Sequence, residues 1–225
     1  MTGEELIEEA KRLARPCVYL TGQQSDNQEV AGVWGDPGLV PAPSEEYRHW
    51  LTVDCRFLPE GFSDLPAGCM SIYVDEEEEG GLVALNPSLH LSAPVGDGVS
   101  LYAHPGVSLP DLDAVFQLGS PAVKEWLAAN GWQPDWGYNG NFKDQATVGA
   151  YFDYRETRNP LTTGAEEFLG GTYAMLGGWH EPWPDSEPED SLGKRLVVMT
   201  YWDAEPFIEV WVDAKQQFRV IPRIT

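Results

Sequence analysis

Three strand-like runs crowd the C-terminal end of this chain: Arg195–Tyr201, Phe207–Val212 and Phe218–Ile224, joined by the short segments DAEP and DAKQQ. Connections of four or five residues suit antiparallel neighbours and are too short for a parallel crossover. The sequence therefore predicts an antiparallel three-strand meander, which commits the rest of the chain to supplying a cover for it. Successive side chains of a strand point to opposite faces. In the middle run Ile208, Val210 and Val212 form one face, and Phe207, Glu209, Trp211 and Asp213 the other. The aliphatic face is expected on the core, with the mixed face open to solvent or a partner.

Upstream, the pattern is mixed. Leu6, Ile7, Ala10, Leu13 and Ala14 fall on one helical face, with Pro16 as the stop. Short β-like runs follow at Val18–Leu20, Val30–Trp34, His49–Phe57, Cys69–Val74 and Leu82–Leu85, punctuated by Gly, Pro, Asn and Asp. Ser120, Pro121 and Gly131 frame a helix over AVKEWLAAN as cap, first turn and stop. Residues 146–158 fit helix and strand periods equally badly. With no fixed repeat and no long linker, residues 1–225 read as a single α+β domain. Its sheet is expected to be mixed or antiparallel, with a helix at the N-terminus and the meander at the C-terminus.

Charge narrows the function. Of the 225 residues, 36 are Asp or Glu and 14 are Lys or Arg, a formal net charge of −22. Direct binding to nucleic acid or an anionic membrane needs a basic face, which this composition does not supply. Two blocks hold most of the excess: residues 57–123 carry ten acids and residues 159–193 seven, with no Lys or Arg in either. No run reaches eighteen uninterrupted apolar residues, so a membrane-spanning helix is not expected. The N-terminal MTGEELIEEAKRLARP, with four Glu, lacks the basic start and apolar stretch of a signal peptide. Cys17, Cys55 and Cys69 are odd in number and widely spaced, as reduced thiols are. The expected compartment is cytoplasmic.

Motifs for common chemistry are missing. His49, His90, His104 and His180 form no zinc-type spacing, and there is no phosphate-binding glycine loop or nucleophile elbow. No cofactor, no metal and no catalytic residue are expected on this ground. Asp75, Glu76, Glu77, Glu78 and Glu79 read as a solvated hairpin tip or as a contact for a basic partner. The stretch from Gly177 to Asp190 is the most unusual. It holds Trp179, Glu181, Trp183, Asp185, Glu187, Glu189 and Asp190 among three prolines. Its tryptophans either pack back onto the fold or anchor a partner, as Trp often does. A second aromatic and amide-rich loop holds Asn130, Trp132, Trp136, Tyr138, Asn139 and Asn141. It suits sugar or base stacking, and equally a helix end tucked under by its aromatics.

The run LGGWHEPWPD, followed by LVVMTYWDAEPFIEVWVD and FRVIPRIT, resembles the C-terminal part of bacterial polymorphic-toxin immunity proteins. That resemblance covers the last third of the chain and implies an inhibitor of a cognate toxin, with no catalytic residue. Acidic blocks fit it, since toxins that act on nucleic acids or nucleotides tend to carry basic clefts to which an acidic partner is steered. The expectation is a protein that binds a basic toxin domain through residues 75–79 and 179–190 and occludes its active or substrate-binding surface. Two other classes compete. One is an enzyme assembled around His180 and Glu181, with His104 or Asp144. The other is a glycan or small-molecule module built on Trp132, Trp136 and Tyr138.

Overall fold

The computed structural model describes residues 1–24, 28–35, 42, 44–65, 67–75, 80–92, 97–132, 142–158, 172–179, 192–199 and 207–223. In chain order these form α1 (Gly3–Arg12), β1 (Arg15–Thr21), β2 (Val30–Trp34), β3 (Tyr47–Asp54), β4 (Cys69–Asp75), β5 (Gly81–Asn86) and β6 (Val99–Ser108). Three helices follow, α2 (Leu112–Leu118), α3 (Pro121–Ala129) and α4 (Gln145–Glu156). The last strands are β7 (Thr172–Gly177), β8 (Lys194–Met199), β9 (Phe207–Val212) and β10 (Phe218–Arg223). The fold is α+β, with an N-terminal helix and a C-terminal strand meander.

All ten strands join one sheet in the order β10-β9-β8-β7-β1-β6-β2-β3-β4-β5, and every ladder is antiparallel. Strand β6 is the joint. Its Tyr102–Ser108 stretch pairs with β1, and its Val99–Tyr102 stretch pairs with β2. Alternation then decides the layers. Val18, Leu20, Leu51, Ile72, Leu101, Leu176 and Val210 point inward and share one core, so the sheet curls until both halves meet. Its two edge strands approach at Gly81, where a Cβ would stand 2.7 Å from Val220 Cγ1 and would collide with the Tyr73 carbonyl. Phe57, Leu58, Phe62 and Leu65, from the β3–β4 connection, pack on the core. Lys194 Nζ donates to Gly61 O at 3.0 Å and Gln216 Nε2 to Asp64 O at 3.0 Å, pinning that connection to the C-terminal strands.

The helices bury their apolar faces mostly on one another: Leu6, Ala10, Leu112, Val115, Leu127, Phe142 and Tyr151 form a cluster of their own. Helix α1 starts in a capping box, with Thr2 Oγ1 accepting from the Glu5 N–H and Glu5 Oε2 accepting from the Thr2 N–H. Polar ties fix this layer to the sheet. Tyr151 donates its hydroxyl to Pro110 O, and Trp179 Nε1 donates to Leu13 O at 2.8 Å. A smaller apolar cluster, Val30, Val33, Cys69, Leu91 and Tyr102, is clasped by Asp54. That buried carboxylate accepts from the Leu91 N–H at 3.0 Å and from Arg56 Nη2 at 2.9 Å.

Several expectations are corrected. Pro16 does not stop a helix; it is the second residue of β1, where it pairs with Val107. The run from His49 ends at Asp54, and Cys55–Phe57 turn as a 3-10 helix. Ser120 stands before α3 without a side-chain cap, and its N–H donates to Glu9 Oε1. Residues 145–156 are helix, started by Asp144, whose Oδ1 accepts from the Thr147 N–H at 3.1 Å. The mixed face of β9 is not open: Glu209 is 2% exposed and Trp211 is fully buried.

Two outcomes test this packing. Gly149 lies in α4 with nothing near its missing Cβ, so Gly149→Ala should stabilise by about 0.5–1 kcal/mol. Gly81→Val should cost about 1–3 kcal/mol by forcing the edge strands apart. Urea unfolding of both variants reads the opposite signs.

Acid sensitivity gives a further test. Burial pushes the Asp54 carboxyl up, but the Arg56 guanidinium and the Arg56 and Leu91 N–H groups outweigh it and hold it below the usual range. A carboxyl depressed on folding stabilises the fold above its unfolded pKa, and that contribution fades as pH falls through the folded value. Asp54→Asn should therefore destabilise most at pH 7. Its deficit should shrink below about pH 4, read by urea titrations across that window.

Candidate functional site

The chain leaves β7 through a tightly constrained corner. Gly177 and Gly178 both have positive φ, +66° and +81°, a region that favours glycine. A Cβ on Gly178 would lie 2.8 Å from Ser108 Cβ, so this backbone approaches β6 more closely than another residue would allow. Trp179 comes next and is only 7% exposed. Its N–H donates to Ser108 Oγ at 3.1 Å, and the Arg15 guanidinium lies 3.4 Å from its ring centroid. Of the two alternatives its sequence leaves open, Trp179 takes the first: it packs back onto the fold, at the root of the acidic connection.

Beneath the corner lies a buried ion pair that sequence reasoning missed. Arg195 on β8 and Glu209 on β9 are 3% and 2% exposed in their side chains, with Nη1 and Oε1 3.8 Å apart. Arg195 Nη2 also donates to the carbonyls of Gly177 and Trp179, and Trp211 Nε1 donates to Glu209 Oε2 at 3.3 Å. A buried charge needs such partners. The signal was an Arg and a Glu inside otherwise apolar strands, but strand alternation alone does not say that their side of the sheet is covered.

A second buried polar chain, also missed, runs across β3 and β4. His49 Nδ1 donates to the Gly35 carbonyl, so in the neutral ring Nε2 accepts, here from Thr52 Oγ1 at 2.8 Å. Thr52 in turn accepts from Ser71 Oγ at 2.8 Å. All three residues are buried. Near the Asp54 clasp, His90 Nδ1 stands 3.6 Å from Asp54 Oδ2 and Arg56 Nη1 stands 3.1 Å from Glu29 Oε2.

The sequence-predicted residues fall as follows. Asp75 ends β4 and its N–H donates to Gly80 O at 3.1 Å, while Glu76, Glu77, Glu78 and Glu79 lie outside the described residues. His180, Glu181, Trp183, Asp185, Glu187, Glu189 and Asp190 also lie outside them, as do Trp136, Tyr138, Asn139 and Asn141. Trp132 is buried and stacked on Phe142, with ring centroids 5.7 Å apart, so it offers no free stacking face. Asn130 Nδ2 donates to Trp126 O at the end of α3. His104 Nε2 contacts Gln23 O at 3.1 Å and Asp144 caps α4; no hydrogen bond or ion pair joins the two.

The two acidic runs follow strands that point in opposite directions. Strands β4 and β7 are antiparallel across the sheet, so the chain leaves Asp75 in the direction opposite to that in which it leaves Gly177. The 35–46, 76–80 and 200–206 connections depart with the first run, and their sequences hold nine acids and no Lys or Arg. The 55–68, 178–193 and 213–217 connections depart with the second and hold eight acids, with Arg56 and Lys215 as bases. Most described bases are held within the fold. Lys11 and Arg12 pair with Glu8 and Glu9, Arg56 with Asp54 and Glu29, and Arg195 with Glu209. Lys124, Lys143 and Lys194 donate to backbone carbonyls, and Arg15, Arg48 and Arg158 lie over aromatic rings.

Burial raises the three thiols, Cys17 and Cys55 to about 11 and Cys69 to about 12, so they stay protonated at neutral pH. Among the described residues no three His, Cys, Asp or Glu gather as a metal would need, and no helix is long and apolar enough to cross a membrane. Neither a protein-family model nor a curated protein matches this chain.

The buried ion pair predicts a non-additive pattern. Arg195→Met strands Glu209 in the interior and should cost about 3–5 kcal/mol. Arg195→Met with Glu209→Leu should recover most of that loss, as measured by urea unfolding of the wild type, the two single variants and the double variant.

Proposed function

We propose that this chain is an acidic immunity-type protein of the cytoplasm. It binds a basic cognate toxin domain and neutralises it by occluding the active or substrate-binding surface. The observation that carries this reading is the disposition of charge. The net charge is −22, most described bases are held by the protein's own acids, carbonyls and rings, and the β7–β8 connection adds five acids and no base. A field of one sign steers an oppositely charged protein to its site and rejects nucleic acid and anionic lipid. Within the reading, Gly177–Trp179 supply a fixed root from which the acidic connection leaves. Catalysis is not part of it, and no cofactor is invoked.

The test uses the tagged full chain in a lysate of its source cells, washed at low and then high salt. A stoichiometric basic protein, retained at low salt and loosened at high salt, is the expected result. With that protein purified, lysine at Glu187, Glu189 and Asp190 together should slow association about tenfold or more and leave unfolding unchanged. Trp183→Ala should instead speed dissociation. Equal rates for wild type and both variants would overturn this assignment of the interface.

A further inference from the structure

Beyond the reach of β2, strand β6 carries an apolar surface that the fold leaves bare. Strand β2 pairs no further along β6 than Tyr102, so the 103–107 stretch has β1 on one side only. In this stretch Pro105 and Val107 lie on the same side as the core residue Leu101; Pro105 stands opposite the core residue Val18 at the core's margin, and Val107 lies past it. Pro16 is the partner of Val107 in the ladder and shares that side. All three are exposed, Val107 by 55%, the largest value for any large hydrophobic among the described residues.

Part of this edge is already occupied, which disfavours strand addition. Pro105 has no N–H to offer, Gln28 Nε2 donates to Ala103 O at 3.0 Å, and the Tyr19 hydroxyl stands over Val107 O at 3.3 Å, shared with Arg158 O at the same distance. What remains available is side chain, so the occupant is a folded surface rather than an extended peptide.

Charge around the strip says which surface fits. The strip lies at the end where β7 delivers the acidic loop. Pro59 and Phe62 stand against Gly177 and the Pro16 carbonyl faces it, which brings the exposed Glu60 and Asp64 of the same connection to this end. Of the bases at this end, Arg56 and Arg195 are paired with Asp54 and Glu209; Arg15, Arg158 and Lys194 keep their charge but are outnumbered by the seven acids of the 55–68 and 178–193 connections. An apolar centre with a charged rim is the anatomy of a specific protein interface. Resting on the inhibitor reading, we propose that Pro16, Pro105 and Val107 form the centre of the surface on which the basic partner docks, with an apolar side chain of that partner seated among them.

The discriminating variant is Val107→Asp, which removes the apolar contact and adds one more acid. Attraction by charge alone would leave it as good a binder as wild type or a better one. Val99→Asp is the control, on the same strand, 41% exposed and at the other end. The readout is affinity for the basic protein that wild type retains at low salt, purified and titrated against each variant. A loss of tenfold or more for Val107→Asp, with Val99→Asp near wild type and both melting as wild type does, is the expected result. Val107→Ser, expected to lose severalfold, replaces Val107→Asp if that variant unfolds. Retention by Val107→Asp equal to wild type overturns this docking centre and leaves the charge-based reading standing. Equal losses at both positions overturn it too, while no protein retained by wild type overturns both readings.

Discussion

Everything in this architecture hangs on β6, the one strand hydrogen-bonded to both halves of the sheet. Along Tyr102–Ser108 it holds the half that ends in the C-terminal meander, and along Val99–Tyr102 the half that ends in β5. Because the two half-ladders overlap only near Tyr102, the halves are staggered. The sheet can then curl until Val220 rests on Gly81 and both sets of inward side chains share one core. Bulges beside the joint, at Leu20/Thr21 and Val30/Gly32, supply local twist. The same stagger leaves part of β6 without a second neighbour, so the bare strip at Val107 is a by-product of how the core closes.

How far this was legible in the sequence depends on the element. The meander was, because its apolar residues alternate and its connections are short. Strand β2 was read with its observed limits, Val30 to Trp34. Strand β6 was not, since HPG in its middle reads as punctuation; its pairing with β1 overrides the local preference of Pro105 and Gly106. Strand β7 and helix α2 were missed because each is short, six and seven residues, and gains its stability from neighbours rather than from pattern. The face of β9 was misjudged for a different reason. Glu209 and Trp211 look like surface letters, and only the arrival of Arg195 from β8 makes their burial tolerable.

For the site, composition was the stronger guide. The excess of acids was plain, and so was their grouping into base-free blocks. What the sequence could not convey was direction: two acidic runs that look equivalent in one dimension depart from opposite ends of an antiparallel sheet. Trp179 was ambiguous between anchor and contact until Leu13 O, Ser108 Oγ and Arg15 came within reach of it.

The glycine corner before Trp179 carries a consequence for how such a protein can change. Gly177, Gly178 and Trp179 are fixed by β6, α1 and Arg195, and on the far side Gly193, at φ +98°, is fixed by close approach to Val212 and Asp213. None of these constraints depends on which residues stand between. A side chain at Gly178 or Gly193 would be strained and would press on its neighbours, so the points where the chain leaves and rejoins the frame resist substitution.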